Sequence, residues 1–339
     1  MRIIVDAMGG DNALDVPVKA SVKAINNKEY IDNVLVGKKE VIEEKLAGLK
    51  YDESRLEIID AREIITNDEE PVKAVKQKKD ASLVVAAKLL SEGKGDAMLS
   101  MGSTGALLAA GILIVGRIKG VLRPALGTLI PTDKGGKLML DVGANTNCRS
   151  QNLLQFAMMG RIYMNKVMGV EKPKIGLVNN GVEEGKGNDL TKETYQLLKA
   201  SESNFIGNLE GREMMQGDAD VIVCDGFTGN IILKTLEGMG KVVSKNLKEI
   251  FKGGILKTLG GLFVLKGLKE FKKKMDYREY GGAPLMGLKK PVIKGHGSSD
   301  EKAAYMTLMQ IEKVVLGDIT KEIEEAVNRK DGINELREN

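Results

Sequence analysis

Short apolar runs alternate with segments of helical periodicity through the first 240 residues of the chain. The runs at 3–5, 97–99, 138–140, 175–178 and 221–223 each lead into a turn rich in Gly, Asn, Ser or Asp and then into a helical pattern. Apolar runs of this length between helices are typical of buried parallel strands joined by crossover helices. The pattern therefore predicts a three-layer α/β/α fold with a mostly parallel sheet.

The turns that follow the five runs are candidate binding sites. Loops at the carboxyl ends of parallel strands lie at one edge of the sheet, where ligands bind, so we expect these turns to meet in one crevice. Backbone N–H groups at helix starts favour phosphate; the alternative is that Gly supplies positive φ and that Ser, Asn and Asp only cap helices. Five such turns in series favour an anion site. The candidate residues in them are Asp6, Gly9, Gly10, Asp11, Ser103, Thr104, Gly105, Asn145, Asp225, Thr228 and Asn230.

Two further polar residues are candidates for chemistry. Lys186 lies in a Gly-rich loop at 183–189, where it is either a cation for a phosphate or developing oxyanion, or a solvated lysine. His296 lies between two glycines before a helical pattern that runs from 299 to about 327. There it either donates to an anion or holds a proton, or only hydrogen-bonds the neighbouring loop. The sequence leaves both alternatives open.

Several familiar sites lack their sequence patterns. No turn fits the dinucleotide fingerprint G-x-G-x-x-G, the stretch 181–187 has the wrong spacing for a P-loop, and no G-x-S-x-G elbow is present. With one His in the chain, neither a zinc cluster nor a His-based triad is well supplied. We therefore expect no cofactor and no metal.

The cysteines and the apolar stretches indicate a cytoplasmic location. Cys148 and Cys224 lie far apart and leave little room for a disulfide framework, which favours a reducing compartment. The chain opens directly into a strand pattern at 3–5, without the features of a signal peptide. The longest apolar stretch, 106–115, is about half the length needed to cross a bilayer. We expect no membrane-spanning segment.

One segment carries the basic character of the chain. The net charge is +4, but residues 241–294 contain 14 Lys or Arg and 4 Asp or Glu, a local balance of +10, so the other 285 residues carry −6. Within this region, the basic segment (251–275) is predicted to form two short amphipathic helices joined at a bend. Its apolar and cationic residues favour docking on anionic lipid headgroups or an acidic protein. The alternative is a subunit interface. Nucleic acid is disfavoured because the segment lacks the aromatic platforms of nucleic-acid binders. The predicted surface residues are Leu259, Leu262, Val264, Leu265, Lys266, Leu268, Lys269, Phe271, Lys273 and Lys274.

Taken together, the turn sequences resemble those of the phosphate acyltransferase (PlsX) family of bacterial phospholipid synthesis. The resemblance extends over nearly the whole chain and implies a single acyltransferase domain at 1–339. The family pattern often has His-Ala-Pro where Asn12, Ala13 and Leu14 stand here, which excludes a role for a His at that position. It usually has Ala-Gly-Asn where this chain has Met101-Gly102-Ser103, which leaves the side-chain role of Ser103 open. The matching segments are 6–11, 104–107, 141–145, 183–188, 204–208, 224–230 and 296–300.

The resemblance implies a reaction, a fold and an assembly. The reaction converts acyl-acyl carrier protein and inorganic phosphate into acyl phosphate and free acyl carrier protein. The implied fold is Rossmann-like and akin to the isocitrate and isopropylmalate dehydrogenases. The implied assembly is a homodimer that associates peripherally with an anionic membrane surface, with acyl carrier protein as partner and no nucleic acid.

This chemistry agrees with the missing triad. Phosphate is already ionised near neutral pH, and the leaving thiol has a pKa of about 8.5 by analogy with Cys. The protein must therefore supply positioning and an oxyanion site. Our hypothesis is that loop amides near Gly9, Gly10 and 103–105 hold phosphate, that Lys186 and Asn230 polarise the thioester carbonyl, and that His296 is a secondary donor.

Three alternatives remain at this stage. One is phosphotransacetylase-like transfer from a small acyl-CoA to phosphate. Another is a non-catalytic scaffold that docks on membranes through the basic segment. The third is an NAD-linked dehydrogenase, which conflicts with the missing dinucleotide fingerprint.

Overall fold

The computed structural model describes residues 1–250, 267 and 281–329. The strands are β1 (Arg2–Asp6), β2 (Asp32–Gly37), β3 (Leu56–Asp60), β4 (Ala97–Ser100), β5 (Ala125–Thr132), β6 (Gly135–Leu140), β7 (Ile175–Val178), β8 (Phe205–Leu209), β9 (Val221–Val223), β10 (Ala283–Met286) and β11 (Val292–Lys294). The helices are α1 (Asp15–Asn27), α2 (Lys39–Leu46), α3 (Pro71–Gln77), α4 (Ser82–Ser91), α5 (Thr104–Ala110), α6 (Ser150–Lys166), α7 (Asp189–Ser201), α8 (Gly211–Met214), α9 (Gly226–Ile250), α10 (Glu301–Leu316) and α11 (Ile319–Asn328).

The central strands are buried on both faces, as the uninterrupted apolar runs predict. Ile3 and Val5 of β1 belong to one core cluster, whereas Ile4 between them belongs to the other. Successive side chains of a strand point to opposite faces of the sheet, so each strand contributes to both cores. Helices α1, α2, α6, α7, α10 and α11 cover the first face, and α3, α4, α5, α8 and α9 cover the second. The predicted three-layer α/β/α fold is confirmed.

Within the described residues the strands form one sheet in the order β3-β2-β1-β4-β11-β10-β5-β6-β9-β7-β8. The strands from β3 to β11 run parallel to one another, and so do β6, β9, β7 and β8. Between these two groups, β10 is antiparallel to β11 and to β5, and β5 is antiparallel to β6. The mostly parallel sheet is therefore confirmed, but its two parallel groups run in opposite directions.

The five turns do not leave one edge of the sheet, although four of them, those after β1, β4, β6 and β9, contribute residues to one cavity as expected. The carboxyl ends of β1 and β4 lie at one edge, and those of β6, β7 and β9 lie at the opposite edge. The reversal arises at the connection between β5 and β6, where only Asp133 and Lys134 separate the strands. A link of two residues joins antiparallel strands only, since a parallel crossover needs about a dozen residues. A site that uses loops from both edges must therefore extend along the face of the strands between them.

Local sequence signals set several helix boundaries near the site. Glu70 accepts from the backbone N–H groups of Val72 and Lys73 at the start of α3, and Ser103 accepts from Ala106 at the start of α5. The single helix predicted over 299–327 is two helices. It is interrupted at Asp318, whose φ is 47°, a left-handed conformation that a continuing helix cannot contain.

Candidate functional site

Three loops on the same half of the sheet pack against one another. They follow β1, β4 and β11, and we name them the β1 loop (7–14), the β4 loop (101–103) and the β11 loop (295–300). The backbone N–H of Asp11 donates to the carbonyl of Gly297 (2.8 Å), and the Asn12 side-chain amide donates to the carbonyl of Ser299 (3.1 Å). These contacts tie the β1 loop directly to the β11 loop.

The β1 loop also depends on two glycines. A Cβ at Gly9 would lie 2.5 Å from the backbone nitrogen of Gly102 in the β4 loop. Gly10 has φ of 93°, and a Cβ there would lie 2.9 Å from the carbonyl oxygen of Gly297. Only glycine fits both the close approach and the positive φ. The two residues therefore allow the backbones of three loops to meet.

These loops form one end of a cavity of about 1720 Å³. The predicted site residues that line it are Gly9, Gly10, Asp11, Ser103, Thr104, Gly105, Asn230 and His296. The cavity continues between β5 and the inner side of α9. There its walls contain charged residues of α9 and many apolar side chains. The apolar side chains come from these two elements, from the loop before α3 and from α5, among them Ile64, Ile65, Leu108, Leu126, Leu129, Ile130, Leu233, Leu236, Met239, Val243 and Leu247.

Asp6 lies behind this cavity and does not line it. Its carboxylate is 2% exposed and accepts hydrogen bonds from the hydroxyls of Ser82 (2.6 Å) and Ser100 (2.7 Å) and from the backbone N–H of Met8 (3.2 Å). Burial raises the pKa of Asp6, and these hydrogen bonds together with the nearby Lys294 oppose the rise. Asp6 thus holds β1, β4 and α4 together beneath the loops rather than contacting a ligand.

Lys294 is a lining residue that the sequence analysis did not single out, since it assigned this lysine only to the basic region 241–294. Its side chain is almost fully buried, and its ammonium donates to the carbonyl oxygens of Met101 (3.2 Å) and Gly295. Burial lowers the pKa of Lys294 to about 8. A signal was present in the sequence: a lysine ends an apolar strand immediately before Gly-His-Gly.

His296 lies opposite the middle of α9. Its Nδ1 is 3.0 Å from the Ser298 hydroxyl, and its Nε2 is 3.9 Å from the carboxylate of Glu237, which also pairs with Lys234 (2.9 Å). Burial lowers the pKa of His296, the Glu237 carboxylate opposes this, and Lys234 and Lys294 add to it. The neutral ring therefore predominates at neutral pH, and it acts as a hydrogen-bonding group. Glu237 and Lys234 are lining residues that the sequence analysis did not name.

Asp141 organises the loop that follows β6. Its buried carboxylate accepts from the backbone N–H groups of Gly143 (3.1 Å), Ala144 (3.0 Å) and Asn145 (2.7 Å), and from that of Leu126 on β5 (3.2 Å). Burial raises the pKa of Asp141, and these hydrogen bonds oppose the rise. The same loop places Gly143 at the cavity.

The predicted residue Asn145 is buried and lies outside the cavity lining. Its side-chain amide donates to the carboxylate of Asp141 and to the carbonyl of Pro124, both at 2.8 Å. Its own carbonyl accepts from the backbone N–H of Gly226 (2.8 Å) at the start of α9. Asn145 thus joins the loop after β6 to the loop after β9.

The start of α9 contains two capping residues and one lining residue. Asp225 accepts from the backbone N–H groups of Phe227 and Thr228, both at 3.0 Å, and from the Thr228 hydroxyl at 2.7 Å. Neither Asp225 nor Thr228 lines the cavity, whereas Asn230 does. A Cβ at Gly143 would lie 3.7 Å from Asn230 Oδ1, so the loop after β6 lies against this amide. Asp225 and Thr228 support Asn230 by fixing the first turn of α9.

Lys186 does not line the cavity. It is exposed in the loop after β7, where its methylene groups lie over Gly181. This loop leaves the strand next to β9 in the sheet, so it lies at the same edge as Asn230. Eight of the predicted residues therefore line the cavity. Lys186 does not, and its side chain is exposed to solvent.

The predicted basic segment at 251–275 and its ten surface residues lie outside the described residues, apart from Gly267. Among the helices that the structure describes, none combines the length and the hydropathy that crossing a membrane requires. Cys148 and Cys224 are free thiols, and burial raises the pKa of Cys148 to about 11. In residues 1–250 and 281–329, His, Cys, Asp and Glu side chains form no group of three that could hold a metal ion.

Comparison with known proteins shows strong similarity over most of the chain. Residues 1–321 match the model of a family described as fatty acid synthesis protein. The chain is 49% identical over 327 residues to the phosphate acyltransferase of Thermoanaerobacter pseudethanolicus, a match that covers 96% of this chain and 97% of that protein. It is 46% identical over 340 residues to the phosphate acyltransferase of Clostridioides difficile, covering 100% and 99% of the two chains.

Solved structures share the architecture at low sequence identity. A phosphotransacetylase from Streptococcus pyogenes matches with a TM-score of 0.60 and 16% identity, over 93% of this chain and 94% of that one. A branched-chain phosphotransacylase from Enterococcus faecalis matches with a TM-score of 0.55 and 15% identity, over 92% and 99%. At these identities the similarity shows the fold alone.

Proposed function

Because the chain belongs to the phosphate acyltransferase family of fatty acid synthesis proteins, we propose that it transfers a long-chain acyl group from acyl carrier protein to inorganic phosphate. Membership makes the protein an acyltransferase that acts with phosphate in lipid synthesis. Beyond family membership, we propose that acyl carrier protein is the acyl donor, and we assign roles to single residues. An oxygen of phosphate attacks the thioester carbon, the C–O bond forms and the C–S bond breaks. The sulfur leaves with the bonding electrons and takes up a proton as the free thiol.

The observation that carries the proposal is the composition of the cavity described above. Its polar end contains the loop amides around Gly10 and Thr104 together with Lys294 and His296. Its long wall along β5 and α9 carries the apolar side chains named above, together with charged residues of α9 such as Lys241 and Lys245. Polar donors suit a phosphate and a developing oxyanion, whereas an apolar wall stabilises a fatty chain by removing it from water. An acetyl group would leave most of this wall without contact.

Within this proposal, positioning and oxyanion stabilisation are the two tasks of the protein. Amides of the β1 loop and residues 103–105 hold phosphate. Asn230 and Lys186 polarise the thioester carbonyl, and His296 is a secondary donor. Asn230 lines the cavity, while Lys186 must approach from the adjacent exposed loop. Each good oxyanion donor lowers the activation free energy by about 3–4 kcal/mol.

The deciding experiment uses purified protein with palmitoyl-acyl carrier protein, with and without phosphate. We expect thiol release and acyl phosphate formation that depend on phosphate. Acetyl-CoA in place of the long-chain donor should give little turnover. Turnover on acetyl-CoA but not on the palmitoyl donor would assign the small-acyl reaction instead, and lipid binding without any thioester loss would leave only the scaffold function.

We also propose that the protein works as a homodimer that associates peripherally with anionic membranes through the basic segment. Residues at the end of α9 support this surface. The last turns of α9, directly before the segment, expose Val242 and Ile250, and they carry Lys241 and Lys245. Apolar side chains and lysines on one helix suit an anionic interface, where each lysine contributes about 1 kcal/mol. The same charges suit an acidic carrier protein.

A charge-neutralised variant separates the two partners. Changing Lys266, Lys269, Lys273 and Lys274 to Gln should abolish flotation with phosphatidylglycerol vesicles if the segment docks on lipid. A raised KM for the carrier-protein substrate in solution would instead assign the segment to that partner. The matched control changes four exposed lysines elsewhere, Lys39, Lys94, Lys172 and Lys192. Equal losses in both variants would contradict a localised surface, and sedimentation of the wild type tests the dimer.

A further inference from the structure

Lys294 shares a row of the sheet with Asp6. The strand register pairs Asp6 with Ser100 and Ser100 with Lys294. Residues paired in this way direct their side chains to the same face of a sheet. The Asp6 carboxylate accepts from the Ser100 hydroxyl at 2.7 Å. A buried carboxylate, a hydroxyl and an ammonium therefore follow one another across three adjacent strands, and the ammonium end borders the cavity.

The ammonium group of Lys294 has neutral partners. Its Nζ donates to the carbonyl oxygen of Met101 in the β4 loop and to that of Gly295 in the β11 loop. Among the described residues, no carboxylate forms an ion pair with it, although its side chain is almost entirely buried. Buried charges in proteins are normally paired with an opposite charge. An ammonium that contacts two carbonyl dipoles at the polar end of a cavity is therefore suited to an anionic ligand.

The surrounding charges keep this ammonium available at neutral pH. Burial lowers the pKa of Lys294 to about 8, while the carboxylates of Asp6 and Asp11 raise it and Lys234 lowers it. His296 is the remaining titratable neighbour, and its ring is mostly neutral at neutral pH because its own pKa is lowered. The charged groups facing Lys294 thus come from β1, the β1 loop and α9.

We propose that Lys294 binds the inorganic phosphate co-substrate through its ammonium group, at the junction of the β1, β4 and β11 loops. The identity of the anion rests on the proposed function, whereas the existence of the anion site does not. Lys294 joins the loop amides of Gly10 and Thr104 as a third component of the phosphate site. It is the buried cation of that site, in contrast to the exposed Lys186.

The test separates charge from structure with Lys294→Gln. The Gln amide retains donors for the carbonyls of Met101 and Gly295 but has no charge. We expect phosphate binding, measured by calorimetry with inorganic phosphate alone, to weaken at least tenfold. The KM for phosphate should rise by a similar factor, with the KM for the palmitoyl donor unchanged. Lys172→Gln, which removes an exposed lysine outside the cavity, should behave as the wild type in all three measurements.

A second readout uses pH. The phosphate affinity of the wild type should fall between pH 7.5 and 9.5 as Lys294 loses its proton, and Lys294→Gln should show a much flatter profile. Unchanged phosphate affinity in a folded Lys294→Gln protein, or no phosphate binding by the wild type, would overturn the inference. If Lys294→Gln does not fold, the pH dependence of phosphate affinity in the wild type is the test. A constant phosphate affinity up to pH 9.5 would then overturn the inference. Failure of the proposed function has a different signature: the wild type binds phosphate but releases no thiol.

Discussion

Gly9 lies against the backbone of Gly102 so closely that no side chain fits between the two loops. A Cβ at Gly9 would be 2.5 Å from the Gly102 nitrogen and 2.9 Å from a carboxylate oxygen of Asp6. The first obstacle is backbone and the second is a buried group with fixed hydrogen bonds, so neither can move freely. This contact sets the separation between the two loops that we assign to phosphate.

Gly9→Ala should therefore separate the β1 and β4 loops. We expect the free energy of unfolding to fall by about 1–3 kcal/mol, as for other overpacked sites, and kcat/KM for phosphate to fall with it. Urea unfolding and steady-state kinetics measure the two effects. Gly211→Ala is the matched control, because no atom lies within 4 Å of the added Cβ. Wild-type values for Gly9→Ala would show that the loops adapt to a methyl group.

Asp6→Ala should destabilise the protein strongly. The substitution leaves the hydroxyls of Ser82 and Ser100 and the N–H of Met8 without their acceptor. Each unsatisfied buried donor costs about 1–3 kcal/mol, so we expect a loss of several kcal/mol in urea unfolding. Asp218→Ala removes an exposed carboxylate that pairs with Lys134 and should change stability by less than about 1 kcal/mol. Similar small losses in both variants would argue against Asp6 as a structural anchor.

Removing Asn230 or Lys186 should slow catalysis by similar factors. Asn230→Ala should lower kcat by about 10²–10³-fold, the usual effect of losing one oxyanion donor, because Asn230 lines the cavity. Lys186→Ala should lower kcat by a similar factor while thermal unfolding stays unchanged, since Lys186 is exposed. Wild-type turnover of Lys186→Ala would remove this lysine from the mechanism and leave Lys294 as the cation of the site.

The titration of Lys294 should also appear in the stability of the fold. Its pKa is about 8 in the folded protein and 10.5 when it is unperturbed. Between these values the unfolded chain binds a proton that the folded protein has lost, so the unfolding free energy rises with pH. Relative to Lys294→Met, the wild type should gain stability between pH 8 and 10.5, on the order of 1–3 kcal/mol. Urea unfolding of both proteins at four pH values measures this, and parallel curves would contradict it.

The sequence predicted the layers because burial on two faces has a local signature. Continuous apolar runs such as Ile3-Ile4-Val5 cannot satisfy a sheet with one solvated face. The turn residues Gly9, Gly10 and Thr104 were found for a similar reason, since Gly and capping residues mark helix starts after strands. Asp225 and Thr228 carry the same signal but are caps only, because a pattern of turn residues does not reveal which side of a helix start faces a cavity.

The sequence by itself determined the three layers, the positions of most strands and the loops that line the polar end of the cavity, because each depends on residues close together in the chain. Tertiary structure alone decided the opposite directions of the two strand groups. Strand β5 runs with the first group because β10 pairs antiparallel with both β11 and β5, and the hairpin at Asp133 and Lys134 then reverses β6. Tertiary structure alone also placed Lys294 in register with Ser100 and Asp6, more than 190 residues away. A lysine in a basic region becomes a buried cation only when strand pairing removes it from water, and pairing between distant segments has no local signature.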